Sequence, residues 1–214
     1  MRKIVLTLLA AGAALALPGA ASAETAAVSV EQIYDAGRCI VDRDRSTAVS
    51  LLQALPVEGG SADMNDVPPS LAERCARGIS NANALHLRGA LAQALFFRDF
   101  GAFGVEPRRS VPMVDLNLPV QADPPGERTV ELYRWADCIV RNDSHHTERL
   151  LASSVGSRAE SEAITRMRPY MTACAPAGAE LSVQPSELRS VLAQSAYHSL
   201  FRYWTRGLDP VRDQ

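Results

Sequence analysis

The chain has 214 residues, with 22 basic residues against 24 acidic ones and a formal net charge of −2. This length suits one ordinary domain or two small ones. Nucleic-acid-binding surfaces usually need a basic face, so the charge balance argues against nucleic acid as a partner. Lys3 is the only lysine, so chemistry that needs a lysine nucleophile is excluded once the first residues are removed.

The first 23 residues are predicted to be a signal peptide. Arg2 and Lys3 precede an apolar run over residues 4–17, which is too short and too rich in alanine for a membrane span. The tripeptide ASA that ends at Ala23 has the small-x-small cleavage pattern, so we expect cleavage after Ala23. Cleavage would leave 20 basic residues against 24 acidic ones, a net charge of −4. No later stretch predicts a membrane span, and we expect a periplasmic or secreted protein.

A passage of fourteen residues occurs twice, as CIVDRDRSTAVSLL from Cys39 and as CIVRNDSHHTERLL from Cys138. Six of the fourteen positions are identical, whereas unrelated sequences of ordinary composition would match at about one. Cys75 follows Cys39 by 36 residues, and Cys174 follows Cys138 by the same 36 residues. The segment LRGALAQ from Leu87 likewise matches LRSVLAQ, 101 residues later. These matches predict a duplicated unit of roughly 75 residues.

Each unit is predicted to contain about four helices, which makes the protein all-α. Ser29 and Gln32 form a capping-box pattern before the first helix. Asp44 and Asp143 each precede a short second helix, where aspartate is a preferred N-cap because its carboxylate accepts backbone N–H groups. We expect the two units to pack about a pseudo-twofold axis or to be loosely joined.

The third helix carries the second cysteine of each unit. We expect Ser70, with Glu73, to cap it in the first copy. In the second copy Pro169 is expected in its first turn, after an inserted extra turn. The fourth helix is predicted to be the longest, over residues 84–100 and 186–203. Outside the linker no alternating pattern predicts a strand.

The predicted domains are a signal peptide (1–23), a first unit (24–100), a linker (101–127), a second unit (128–207) and a tail (208–214). Five prolines and three glycines in the linker exclude a continuous helix. Residues 114–120 alternate enough to form a short strand or an extended arm.

The four cysteines of an exported chain predict two disulfides. The equal spacing in the two copies favours Cys39–Cys75 and Cys138–Cys174. Each bond would tie the first helix of a unit to its third helix. Pairing between the units would require an interlaced fold.

His145 and His146, flanked by Asp143 and Glu148, are weak candidates for zinc or copper ligands. Adjacent helical side chains point about 100° apart, so both imidazoles rarely reach one ion, and a solvated first turn is the simpler interpretation. The sequence has no C-x-x-C pair, haem signature or glycine-rich phosphate loop, and we predict no cofactor and no metal.

Catalytic residues are not predicted either. Asp143, Ser144 and His145 have the residue types of a hydrolase triad, but triads are assembled by the fold and not by neighbours in one turn. The motif G-x-S-x-G is absent. His86 and His198 stand alone, where packing or surface roles are favoured.

Two arginine–glutamine pairs recur in the long fourth helices, namely Arg88 with Gln93 and Arg189 with Gln194. An arginine is a planar donor suited to carboxylates or phosphates, so the four residues are candidates for contact with a ligand or partner in one cleft. We favour a structural alternative, in which each arginine snorkels or binds a neighbouring helix end and each glutamine joins two helices.

The repeated pattern C-I-V-x-x-D…L-L, with a second cysteine 36 residues on, resembles small exported bacterial helical proteins with C-V-V-R-x-[DN]…L-L units. No activity is assigned to those proteins, so the resemblance implies no functional residue. We predict a non-enzymatic exported binding or scaffold protein, whose partner is a protein or a small apolar ligand. The alternatives are an envelope hydrolase with a cleft between the repeats and a carrier of an apolar ligand or lipid.

Overall fold

The computed structural model describes residues 28–63, 67–79, 81–101, 124–176 and 182–206. Within these ranges the chain forms eight helices and one pair of short strands, so the all-α prediction is confirmed. The helices are α1 (Val30–Arg43), α2 (Arg45–Ala54), α3 (Pro69–Cys75), α4 (Ala84–Phe100), α5 (Pro124–Asn142), α6 (Ser144–Ala152), α7 (Arg158–Cys174) and α8 (Pro185–Arg206). We call α1 to α4 the first half of the protein and α5 to α8 the second half.

Two strands of three residues each lie between the helices of the first half. They are β1 (Ser61–Asp63) and β2 (Asn81–Asn83), which pair antiparallel with Ala62 opposite Ala82. This pair was not predicted, because three residues are too few to show an alternating pattern.

Side-chain caps begin several helices where the sequence predicts them. Ser29 Oγ accepts the backbone N–H of Gln32 at 3.2 Å, and Gln32 Oε1 accepts that of Ser29 at 2.9 Å, which confirms the capping box of α1. Asp44 Oδ1 accepts the N–H of Thr47 at 3.0 Å at the start of α2. At the start of α6, Asp143 Oδ1 accepts the N–H of His146 at 3.4 Å. The caps that begin α2 and α6 are therefore local signals, and they lie in the repeated passage.

The third helices differ from the prediction. α3 begins at Pro69 after Pro68, with no side-chain cap, so the predicted cap by Ser70 is wrong; proline suits the first turn because it has no N–H to satisfy. α7 has 17 residues against 7 in α3, and Pro169 lies inside it. The placement of Pro169 in a first turn is therefore also wrong, and α7 gains more than one helical turn over α3 although both cysteine pairs are 36 residues apart. Ser157 caps α7 instead, accepting the Glu160 N–H at 3.2 Å.

The boundaries of the linker and of the last helix also shift. α5 begins at Pro124, inside the predicted linker, because two prolines are compatible with a first helical turn. α8 continues to Arg206, past the predicted end at residue 203. The predicted signal peptide, the extended segment 114–120 and the tail 208–214 lie outside the described residues.

Both predicted disulfides are present and leave no cysteine free. Cys39–Cys75 joins α1 to α3 with a Cα–Cα distance of 5.4 Å, and Cys138–Cys174 joins α5 to α7 at 5.8 Å. Each bond therefore stays within its own half of the protein.

The two halves share one core, at whose centre α4 packs along α8. α4 also packs on α1, and α8 packs on α5. A Cβ placed on Gly89 would lie 2.5 Å from the Ser190 Cα, so glycine is required where the two central helices approach most closely. Within the described ranges every helix falls short of the length and apolarity that a bilayer crossing needs.

Candidate functional site

A groove of about 650 Å³ opens between α1, α4 and the turn that follows α6. On α1 its lining comes from positions three or four residues apart, between Glu31 and Asp42. On α4 the lining lies between Ala90 and Arg98, and the third wall is formed by residues 151–155. We call this site the α1–α4 groove. Side chains from both halves of the protein form it.

The floor of the groove is largely apolar. Tyr34, Ala94, Phe97 and Val155 line it, together with the alkyl surface of neighbouring small residues. Tyr34 is buried, and burial raises the pKa of its phenol, so the ring stays neutral at physiological pH. Phe97 packs edge-to-face on the buried Phe96, with ring centroids 5.1 Å apart. The floor is therefore built from rings and small side chains that are held by the core.

The rim of the groove is charged. The lining contains three carboxylates and two guanidinium groups, from Glu31, Asp35, Asp42, Arg38 and Arg98. Arg38 forms an exposed ion pair with Asp35. Arg98 donates to the main-chain carbonyl of residue 41 at the end of α1. Across the part of the chain that the structure describes, Glu31 and Asp42 form no ion pair.

A buried arginine fixes the floor from below. Arg189 is 0% exposed and donates from Nε to Glu160 Oε1 at 2.9 Å. Its Nη1 donates to Gln93 Oε1 at 3.0 Å, and its Nη2 donates to the Ser153 carbonyl at 2.7 Å. Its guanidinium carbon lies 5.5 Å from the centroid of the Tyr34 ring. One side chain thus connects all three walls of the groove.

The corresponding arginine of the first half makes the reciprocal contact. Arg88 donates from Nε to Gln194 Oε1 at 2.8 Å, whereas Arg189 donates to Gln93 from Nη1. Its Nη1 donates to the carbonyls of Leu52 and Leu55, at the end of α2, at 2.6 Å and 2.5 Å. Tyr133 also donates to Gln194 Oε1, at 2.7 Å.

Of the four residues predicted to contact a ligand or partner, the structure brings Gln93 to the wall of the groove. Arg88, Arg189 and Gln194 are buried, and the bonds above join them to helix ends and to the opposite central helix. Their contact with a ligand stays a prediction. The arrangement is the structural alternative that the sequence analysis favoured.

The two adjacent histidines lie at the first turn of α6. His146 Nδ1 lies 2.8 Å from Asp143 Oδ1, the carboxylate that caps the helix, and the His145 ring is 5.2 Å away between centroids. In the described ranges no three His, Cys, Asp or Glu side chains come together in a way that could hold a metal ion.

A serine–histidine contact that the sequence analysis missed occurs where α4 crosses α8. Ser190 Oγ lies 3.1 Å from His86 Nδ1 and 3.0 Å from Tyr34 Oη, and it donates to the Ser186 carbonyl at 2.8 Å. Burial lowers the pKa of His86, an effect that Glu187 partly opposes. Ser190 is 0% exposed, so its hydroxyl offers no nucleophile to a substrate in this conformation.

The other lone histidine, His198, lies on α8. Burial, and then the charges of Arg88 and Arg202, lower its pKa to about 4, so it is neutral at physiological pH. Its ring packs against that of Tyr197, with centroids 5.6 Å apart.

The equivalent face of the second half carries opposite charges. Asp35, Arg38 and Asp42 correspond, 99 residues later, to Arg134, Asp137 and Arg141. Asp137 is only 6% exposed and accepts Nε of Arg141 at 2.7 Å. It also accepts a hydroxyl from α8 at 3.2 Å. The charged rim of the first half therefore has no counterpart at these three positions of the second half.

Comparisons of the chain with protein-family models, with curated proteins and with solved structures find no match in any of the three. The resemblance suggested by the repeated cysteine motif therefore stays a prediction. The candidate site is defined by its geometry alone.

Proposed function

We propose that the protein is a non-enzymatic exported binding protein, periplasmic or secreted after cleavage at Ala23, which holds its occupant in the α1–α4 groove. The groove itself is the observation that supports this function. Its volume of about 650 Å³ falls in the range of small-molecule sites, about 300–1,000 Å³. Such sites combine apolar surface with polar groups that fix orientation, and this groove has both, in its apolar floor and in its charged rim with Gln93, although it is more polar than most.

The way in which the groove is built supports binding. Arg189 holds Gln93, Tyr34 and residue 153 in place with donors that have no access to solvent. A site whose side chains are fixed before binding loses little conformational entropy when it is occupied. The reciprocal arginine–glutamine bonds between the halves also support the pseudo-twofold duplication that the sequence predicts.

The chemistry of the covalent framework supports export. Two disulfides indicate an oxidising compartment, such as the periplasm or the medium. The alternative of an envelope hydrolase depends on Ser190 and His86, of which the serine is fully buried and the histidine is half-buried. The hydrolase alternative predicts turnover of a substrate that is lost in Ser190→Ala. The binding function predicts no turnover.

Native mass spectrometry tests the binding function. The tagged protein would be expressed from its own leader in the source organism and recovered in its oxidised form. Ala94→Trp fills the floor of the groove, and Ala173→Trp, on the exposed face of α7, is the matched control. We expect a co-purified species with the unchanged protein and with the control, but not with Ala94→Trp. The same occupancy in all three proteins, or turnover of a substrate, would contradict the proposal.

A further inference from the structure

We propose that the occupant of the α1–α4 groove is a small organic cation, namely an apolar body that carries an ammonium group. This proposal rests on the proposed binding function and names its ligand class. The apolar body is placed by the floor, where Tyr34, Ala94 and Phe97 present rings and small side chains instead of hydrogen-bonding groups. Removing such surfaces from water is favourable and roughly proportional to the area buried.

The charge of the ligand follows from the rim. Three carboxylates stand on the α1 side, and the guanidinium among them, Arg38, is paired with Asp35. Glu31 and Asp42 form no ion pair within the described ranges. Arg98 directs a donor to a main-chain carbonyl at the end of α1. The three carboxylates of the lining outnumber its two guanidinium groups, so the net charge of the rim is negative, and an ammonium group gains attraction where a carboxylate ligand would be repelled.

The third wall adds to the same preference. Residues 151–153 are the C-terminal end of α6 and line the groove. A helix C-terminus carries partial negative charge from its unpaired carbonyls and favours cations. The carbonyls of Leu151 and Ser153 already accept donors of the buried Arg189 from beneath, so this end of the helix is seen to bind a cation. The attraction left for a ligand comes from the rest of the helix end.

The aromatic floor completes the chemistry. Cations are attracted to the faces of aromatic rings within about 6 Å of the centroid, and aromatic cages recognise quaternary ammonium groups in this way. Tyr34 already holds the Arg189 guanidinium at 5.5 Å from its centroid, and Phe97 lines the same floor. A groove lined by both carboxylates and aromatic rings thus matches a trimethylammonium group better than a primary alcohol or an anion.

A head-group series with one alkyl chain tests this proposal. The probes are decyltrimethylammonium, decanol and decanoate, each below its aggregation concentration, titrated calorimetrically into the oxidised mature protein. We expect the cation to bind at least about tenfold more tightly than the anion, with an affinity that falls as salt rises. Ala94→Trp should abolish binding of the cation, whereas Ala173→Trp should leave it unchanged.

Charge variants separate the head group from the chain. Glu31→Gln with Asp42→Asn is expected to weaken cation binding about tenfold, since each exposed pair is worth up to about fivefold. Glu73→Gln with Glu131→Gln removes the same charge from exposed positions outside the groove and should have no effect. Circular dichroism of each variant confirms that it is folded.

Three outcomes would overturn the cation proposal and leave the binding function standing. The first is equal affinity for all three probes, with binding of all three lost in Ala94→Trp. The second is tighter binding of decanoate than of the cation. The third is a co-purified small molecule or protein that depends on Ala94 and carries no cationic group. If Ala94→Trp changes neither probe binding nor the co-purified occupant, both proposals fail.

Discussion

At the scale of single residues, Arg88 and Arg189 occupy corresponding positions but differ in their charge partners. Arg189 is fully buried and pairs with Glu160, which is itself 4% exposed. Arg88 binds two carbonyls and the side-chain oxygen of Gln194, and it forms no ion pair within the described residues. The cost of removing each guanidinium should therefore differ.

We predict that Arg189→Leu lowers the free energy of unfolding by about 3–5 kcal/mol, because it leaves the Glu160 carboxylate buried with the Gly156 N–H as a donor but without a charge partner. Arg88→Leu should cost about 1–3 kcal/mol, since it leaves only neutral acceptors without donors. Urea unfolding with the disulfides intact measures both values.

The double variant Arg189→Leu with Glu160→Leu is the control for this explanation. Removing both charges of a buried pair is often close to neutral, so the double variant should regain part of the stability that the single change loses. A double variant as unstable as the sum of its two single changes would show that the ion pair is not the cause.

At the scale of helices, the crossing of α4 and α8 depends on one small residue. A Cβ on Gly89 would lie 2.5 Å from the Ser190 Cα and 2.6 Å from its Cβ. We predict that Gly89→Ala destabilises the protein by about 1–3 kcal/mol through overpacking, although alanine raises helix propensity by about 1 kcal/mol. The midpoint of thermal unfolding measures the net effect.

A double-mutant cycle with Ser190→Gly tests whether the crossing is responsible. The second change removes the serine Cβ and Oγ that the new methyl group would meet. It also removes hydroxyl contacts with Tyr34 and His86, so it is destabilising alone. The loss in the double variant should be smaller than the sum of the two single losses; strict additivity would place the defect elsewhere.

The cap of α2 should make stability depend on pH in acid. The Thr47 N–H, followed by the hydroxyls of Ser46 and Thr47, lowers the pKa of Asp44 from its ordinary 3.8 to about 2. A carboxyl whose pKa is lower in the folded state stabilises the fold above its unfolded pKa, and that contribution is lost as the pH falls through the folded value. Urea midpoints should therefore decline from about pH 4 to pH 2 in the unchanged protein, and less steeply in Asp44→Asn.

Helix starts that depend on a side-chain cap could be predicted from the sequence, because the capping side chain and the backbone N–H that donates to it lie three residues apart. Ser29, Asp44 and Asp143 are examples, and their bonds are present. Ser70 and Pro169 were misplaced because a proline fits a first turn or an interior position, depending on how far the packing of α7 extends the helix. Tertiary contacts decide that length, and a single sequence does not display them.

The candidate site was less predictable than the fold. Gln93 was singled out because it recurs, but Tyr34 was not, although it is both buried and part of the floor. A helical face that lines a groove has the same periodicity as one that packs in the core. The signal that could have distinguished them is the reversal of charge between Asp35, Arg38 and Asp42 and their counterparts in the second half.

At the scale of the whole molecule, the covalent and non-covalent links act on different parts. Each disulfide closes a loop within one half, with a sequence separation of 36 residues. The central pair of helices, by contrast, joins the halves through one buried cluster. A half on its own would expose the face of α4 or α8 that the other half covers, so neither should be stable alone.

We therefore predict that the oxidised protein unfolds in a single cooperative transition. Both tryptophans lie in the second half, and Trp135 is buried, with its Nε1 donating to the Met171 carbonyl at 2.9 Å. Tryptophan fluorescence therefore reports on the second half, whereas far-ultraviolet circular dichroism reports on all helices. The urea midpoints measured by the two methods should coincide.

Replacing Cys39 and Cys75 by serine should cost about 4 kcal/mol by the chain-entropy account. It should lower the fluorescence midpoint as well, although the tryptophans belong to the other half. A fluorescence transition that keeps its midpoint while half of the helical signal is lost earlier would show that the two halves are independent.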